Sequence, residues 1–121
     1  MYKVKVTSQF SSAHNLRGYK GKCEDLHGHN WHVEAVVSSE ELDELGMVVD
    51  FKELKKALRE VTGELDHKHL NEVDYFKDVN PTSENIARYL LEKLSEKSPE
   101  LNICEVTVHE TDTSSATYTK K

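Results

Sequence analysis

Residues 27–38, HGHNWHVEAVVS, decide how the chain is read. His27, His29, Trp31, Val33, Ala35 and Val37 fall on one face, and Asn30, His32, Glu34 and Ser38 on the other. A period of two with one apolar row is the signature of a half-buried strand. The N-terminal stretch behaves alike: Val4, Val6, Ser8, Phe10, Ser12 and His14 share a face opposite Lys3, Lys5, Thr7 and Gln9. Between the two lies NLRGYKGK (residues 15–22), whose glycines and basic side chains read as a loop. Strands joined by such a loop pair as antiparallel neighbours. The end of the first then lies beside the start of the second, and His14, His27 and His29 converge on one side of the sheet.

The remaining elements follow from spacing. Ser38 to Leu45 is acidic and polar, and Gly46-Met47-Val48-Val49 reads as a short strand. Asp50 suits an N-cap with Glu53 at the capping-box position. Phe51, Leu54, Leu58, Val61 and Leu65 then keep helical spacing to about Leu65, although Gly63 weakens the last turns. Asn80-Pro81-Thr82-Ser83 forms a turn and cap for a helix that buries Ile86, Leu90 and Leu94 and ends near Ser98-Pro99. Cys104, Val106 and Val108 alternate with Glu105, Thr107 and His109 as a further strand. Ala116 to Thr119 reads as a last one, running into a short solvated tail. The order implies an α+β fold spanning residues 1–121 as one domain, an antiparallel sheet with two helices on one face.

The chain has 121 residues, 31% of them charged, and a net charge of -6. This balance argues against nucleic acid or an anionic membrane as the main partner. No apolar run is long enough to span a bilayer, and the N-terminus lacks the apolar core of a signal peptide. The two cysteines, Cys23 and Cys104, make no disulfide framework, which fits a reducing cytoplasm.

Three imidazoles with a fourth position open match a catalytic zinc site rather than a structural one. H-x-H alone is equally the mark of hydrogen-bonded histidines at a strand end. The in-register His14 tips the reading toward metal. Cys23, beside such a cation and Lys22, would favour thiolate and serve as base or nucleophile. Glu24 could reach the same pocket, although composition alone favours a solvated loop carboxylate. Asp66 and His67 fit two readings equally: a proton relay in which the carboxylate fixes the imidazole, or a helix C-terminus complementing the dipole. His69, two residues further on, would make a poor chelate with His67 if the segment were helical. His32 and His109 lie on outward rows as exposed residues, and Cys104 reads as core. Glu110 continues the inward row, where a carboxylate needs a partner such as two parallel N–H donors, unless the strand end has already reached solvent. Thr82, Ser83 and Glu84 either cap the second helix or hold a ligand at its N-terminus. Arg17, Lys20 and Lys22 reverse the acidic balance locally, as an anion-binding loop or simply a solvated one.

Together these stretches resemble the 6-pyruvoyltetrahydropterin synthase / 6-carboxytetrahydropterin synthase family over nearly the whole length. The matching blocks are Phe10 to His14, Cys23 to His29, Gly46 to Phe51, Leu65 to His67 with Leu70-Asn71, Asn80 to Asn85, and His109-Glu110-Thr111. The resemblance implies a tunnelling fold whose subunits assemble into a barrel, a homo-oligomer such as a hexamer built as a dimer of trimers, with active sites between subunits. It implies zinc on His14, His27 and His29, and proton transfers by Cys23, Asp66 and His67. It makes Glu110 the anchor of the pterin edge, with Thr82, Ser83 and Glu84 as further substrate contacts. The implied substrate is 7,8-dihydroneopterin triphosphate. C-x-x-x-H-G-H resembles the queuosine-pathway enzyme that forms 6-carboxytetrahydropterin, acetaldehyde and triphosphate. E-x-x-H-G-H resembles a sister group that forms 6-hydroxymethyl-dihydropterin. Residues 23–29 satisfy both patterns, which leaves Glu24 as a possible second base. The pyruvoyl product ranks third, and a zinc- or pterin-binding module without turnover is the non-enzyme alternative.

Overall fold

A computed structural model describes residues 1–22 and 24–120. Strand β1 (Tyr2–His14) pairs antiparallel with β2 (His27–Ser39), and His14 is the Cα partner of His27. Helix α1 (Phe51–Gly63), a 3-10 turn (Leu70–Glu72), the short helix α2 (Tyr75–Asp78) and helix α3 (Ser83–Lys97) follow. Strands β3 (Ile103–Thr111) and β4 (Ser114–Thr119) complete a four-stranded sheet in the order β1-β2-β3-β4. Both long helices cover the face that carries the apolar rows, so the expected α+β architecture holds. No helix among the described residues is long and apolar enough to cross a membrane.

Periodicity explains the core. Val6, Phe10, Trp31, Val33, Ala35, Val106 and Val108 from the sheet meet Leu54, Leu58, Val61, Ile86, Leu90 and Leu94 from the helices, all buried. Each such aliphatic side chain contributes about 1.5–3 kcal/mol by leaving water. Asp50 caps α1 by accepting the Lys52 N–H at 2.9 Å, and Thr82 caps α3 by accepting the Asn85 N–H at 3.1 Å.

The structure corrects several expectations. Residues 46–49 form no strand. Asp43 accepts the N–H groups of Leu45 and Met47, each at 2.9 Å, while Gly46 at φ +83 closes a compact loop. Val48 and Val49 pack on the core from that loop. Phe51, one position after the cap, is 53% exposed. Helix α1 stops at Gly63, yet Leu65 is still buried beyond its end. A register shift between Val36 and Val37 puts Ile103, not Cys104, into the core, and Cys104 is only half-buried. His109 is half-buried, with Nε2 3.3 Å from Glu34 Oε2. Tyr118 lies in β4, where the last strand is expected, and packs against the core instead of beginning a solvated tail.

Candidate metal centre and its surroundings

The strand register delivers the histidines as expected. His14, His27 and His29 each offer a ring nitrogen within 4.8 Å of the others. His14 is almost wholly buried, with Trp31 edge-on at 4.9 Å between ring centroids. Trp31 is fixed in turn by its indole N–H, which donates to the Ser12 carbonyl at 3.1 Å.

The outer nitrogens of two histidines are committed. His14 Nδ1 lies 2.8 Å from the Pro81 carbonyl, and His27 Nδ1 lies 2.8 Å from the Asp25 carbonyl. A carbonyl only accepts, so both Nδ1 atoms carry the proton and both Nε2 atoms present lone pairs, 3.1 Å apart. Such outer partners orient imidazole ligands in metal sites. His29 Nε2 is buried without a hydrogen-bond partner. Burial lowers the His14 pKa, against an opposing pull from the Pro81 carbonyl, and the neighbouring His27 and His29 lower it further. A neutral His14 is the form that binds a cation. Three inward ring nitrogens, that of His29 without a hydrogen-bond partner, fit a divalent metal of the kind that accepts imidazole.

The segment Asn80–Asn85 builds the outer shell of this cluster. Asn80 Nδ2 donates to the Arg17 carbonyl at 3.0 Å, and the Arg17 N–H donates to Asn80 Oδ1 at 2.9 Å. The Arg17 guanidinium donates to the carbonyls of Phe76 and Val79. Arg17 therefore braces the turn that presents the Pro81 carbonyl to His14 and is not free for an anion, whereas Lys20 and Lys22 are exposed. Asn71 repeats the device one residue after His14. It accepts the Asn15 N–H at 3.0 Å and donates to the Asn15 carbonyl at 2.8 Å. Arg17, Asn71, Asn80 and Pro81 are the supporting residues that strand reasoning missed. Asparagine beside a turn was the available signal.

Asp66 and His67 are not helical. The segment after α1 runs along the edge of β1: the His67 N–H donates to the Ser11 carbonyl at 2.7 Å, and the Ala13 N–H donates to the Lys68 carbonyl at 3.0 Å. Asp66 accepts the Ser11 N–H at 2.8 Å and lies 2.9 Å from His67 Nδ1. These bonds hold the Asp66 carboxyl below its ordinary pKa, the Ser11 N–H acting most strongly. His67 sits at φ 55, a left-handed conformation costly for a side-chain-bearing residue, and its side chain is 83% exposed. His69 is bridged to Ala13 rather than aimed with His67 at a common ion.

Glu24 accepts the Leu16 N–H at 3.2 Å, and its other contact is the outer Nδ1 of His27 at 4.0 Å. It clips the loop shut behind His27. Glu110 lies against the histidines themselves, 3.6 Å from His29 Nε2 and 3.9 Å from His14 Nε2. Thr82 spends its hydroxyl on the α3 cap, Ser83 is half-buried and Glu84 is exposed. Cys23 lies outside the described residues.

An antiparallel meander carrying a three-histidine cation cluster under two helices defines a class of fold and site together. Residues 3–121 match the model of the 6-pyruvoyl tetrahydropterin synthase family. A relative from Archaeoglobus fulgidus, provisionally named a 6-carboxy-5,6,7,8-tetrahydropterin synthase, is 40% identical over 109 residues, 90% of this chain and 88% of its own. A Drosophila melanogaster 6-pyruvoyl tetrahydrobiopterin synthase is also 40% identical, over 91% of this chain and 68% of its own. The Caenorhabditis elegans 6-pyruvoyl tetrahydropterin synthase structure superposes with a TM-score of 0.85 at 31% identity, covering 99% of this chain and 96% of that one. The chain belongs to the 6-pyruvoyl tetrahydropterin synthase family, a family of lyases, and has its tunnelling fold.

Proposed function

We propose that the protein is a zinc-dependent 6-carboxy-5,6,7,8-tetrahydropterin synthase of the cytoplasm. It would convert 7,8-dihydroneopterin triphosphate, with uptake of one water, to 6-carboxytetrahydropterin, acetaldehyde and triphosphate for queuosine synthesis. The observation that carries this reading is the convergence of three imidazole nitrogens, with the tautomers of His14 and His27 fixed by backbone carbonyls. His14, His27 and His29 hold the zinc, which supplies a Lewis acid for the substrate's side-chain hydroxyls. Cys23 would serve as the base that takes a proton from the substrate's side chain. Asp66 fixes His67 through Nδ1, leaving Nε2 to carry a proton. Glu110 receives the paired N–H donors of the pterin, and Thr82, Ser83 and Glu84 complete its contacts. The outward-facing His67 fits a homo-oligomer in which one chain's relay serves a neighbour's metal, and the family resemblance makes that oligomer a dimer of trimers.

The product is the open choice, because relatives named for the carboxy and the pyruvoyl product are equally identical to this chain. The spacing Cys23-x-x-x-His27-Gly28-His29 favours the carboxy product. A hydroxymethyl product through Glu24 is disfavoured by where its carboxylate rests, on the Leu16 N–H and at the outer nitrogen of His27. The test is incubation of zinc-loaded protein with 7,8-dihydroneopterin triphosphate and identification of the pterins by mass spectrometry. Carboxytetrahydropterin with acetaldehyde is expected, and pyruvoyltetrahydropterin as the sole product overturns the assignment. Glu24→Ala should keep the carboxy product. Loss of a hydroxymethyl product alone would instead make Glu24 a second base.

A further inference from the structure

We infer that Glu110 is the fourth ligand of the metal in the substrate-free protein, a carboxylate that substrate must displace. The inference rests on the reading of His14, His27 and His29 as a metal centre and gives Glu110 a second station besides that of pterin anchor.

The backbone aims the side chain. The pairing of β3 with β4 shifts register between His109 and Thr111, leaving Glu110 at a bulge. Bulges re-aim side chains at strand ends. Here the carboxylate lies on the side of Val106 and Val108, facing the histidines.

The distances approach those of ligands sharing an ion. In a tetrahedral zinc site with bonds near 2.0–2.2 Å, neighbouring donor atoms stand about 3.3 Å apart. His14 and His27 Nε2 are 3.1 Å apart, and the Glu110 oxygens stand 3.6 Å from His29 Nε2 and 3.9 Å from His14 Nε2. The two separations from Glu110 are too long for direct hydrogen bonds. His14 Nε2 is a lone pair, since its Nδ1 proton is given to Pro81. A carboxylate oxygen facing such lone pairs is repelled unless a cation lies between them. Among the described residues, the cationic-type groups within 4.0 Å of Glu110 are these two imidazoles. Three imidazoles and one carboxylate make a closed, neutral-to-anionic donor set that suits zinc.

A closed site cannot accept a substrate oxygen, so the fourth ligand must exchange. Glu110 is built for that. Its side chain is 34% exposed and reaches the histidines from a strand end, whereas His14 is 2% exposed and locked by Pro81. Once off the metal, its two oxygens are free to take the paired N–H edge of the substrate.

The test uses Co2+ as the probe on the intact chain. Metal-free protein is loaded with Co2+ and its visible spectrum recorded between about pH 6 and 9, where a metal-bound water ionises. The wild type should show an intense four-coordinate spectrum that does not change with pH. Glu110→Gln should shift the bands, add a pH-dependent component from bound water, and weaken Co2+ and Zn2+ affinity by about tenfold or more in chelator competition. Glu110→Asp keeps the charge but shortens the reach, and should resemble Glu110→Gln. Wild-type and Glu110→Gln spectra that coincide, with equal affinities, overturn the inference while leaving the metal centre standing. A wild type that binds no Co2+ through its histidines overturns both. Circular dichroism confirms that each variant is folded.

Discussion

Removing the Arg17 side chain separates two roles that the sequence leaves open. Arg17 sits in a basic loop, where an anion-binding role is natural. In the structure its guanidinium instead donates to the carbonyls of Phe76 and Val79 and braces the turn whose Pro81 carbonyl holds His14. Hydrogen bonds from a charged donor contribute about 1.5–3 kcal/mol each. The group is half-exposed, so the lower end applies and water recovers part of the loss. Arg17→Ala should cost about 2 kcal/mol. For a chain of this length the unfolding entropy makes that a fall of about 8 °C in Tm. The loosened Pro81 turn no longer fixes the His14 tautomer, and loss of such an outer partner weakens metal binding by about 10–100-fold. Thermal unfolding of the metal-free protein and chelator competition with Zn2+ measure the two effects. Arg17→Lys sharpens the test. Lysine keeps the charge an anion would need, but both bonds come from Nη2 at the far end of the guanidinium, and the shorter lysine side chain does not place its ammonium there. It should therefore behave like Arg17→Ala. If Arg17→Ala leaves Tm and metal affinity unchanged and raises only KM for the triphosphate substrate, with Arg17→Lys restoring it, the bracing role is wrong.

Three further outcomes follow from the geometry. His67→Ala should leave Zn2+ affinity unchanged and lower turnover by about 100-fold or more, since His67 touches none of the metal-binding rings; undiminished turnover would remove it from the relay. Trp31→Phe should destabilise the protein by about 2–3 kcal/mol in urea unfolding, because it opens space in the core and strips the Ser12 carbonyl of its indole donor. The folded-state pKa of His14 lies below its ordinary value of 6.5, so on acidification the unfolded chain binds that proton first. The stability due to neutral His14 is thus present above about pH 6.5 and lost as pH falls from there through the folded pKa; His14→Gln in metal-free protein should flatten that slope, and an unchanged slope would show that His14 is not the group responsible.

What was legible in the sequence is what a period of two controls. Alternation in residues 2–14 and 27–39 fixed which side chains face inward, and register then placed His14 opposite His27. One inserted residue would have sent every histidine to the other face. Legibility failed where backbone groups, not side-chain patterns, make the structure. The loop at residues 43–47 is folded by an aspartate accepting two N–H groups, so its valines mimic a strand without pairing as one. The bulge that exchanges Cys104 for Ile103 leaves no mark in a two-residue period. The outer shell of the metal cluster was invisible for the same reason. Its acceptors are main-chain oxygens of Pro81 and Asp25, which every residue type carries.

Strand β1 links the two halves of the chemistry mechanically. Its inward row ends in the buried ligand His14, while its edge at Ser11 and Ala13 holds the segment that carries Asp66 and His67. Ser12, between them, donates its hydroxyl to the Leu65 carbonyl and lends its own carbonyl to Trp31. Four consecutive residues, Ser11 to His14, therefore hold the proposed metal ligand His14, its aromatic wall Trp31 and the proposed relay of Asp66 and His67. A shift of β1 along β2 would carry His14 and the segment holding Asp66 and His67 together, and would part them from Trp31, His27 and His29, which β2 carries. Loosening residues 65–69 from the edge would move only the relay. The left-handed backbone of His67 makes that second motion the more accessible one, because release from β1 relieves an unfavourable φ. The backbone bonds of Ser11 and Ala13 are what hold that segment to the β1 edge.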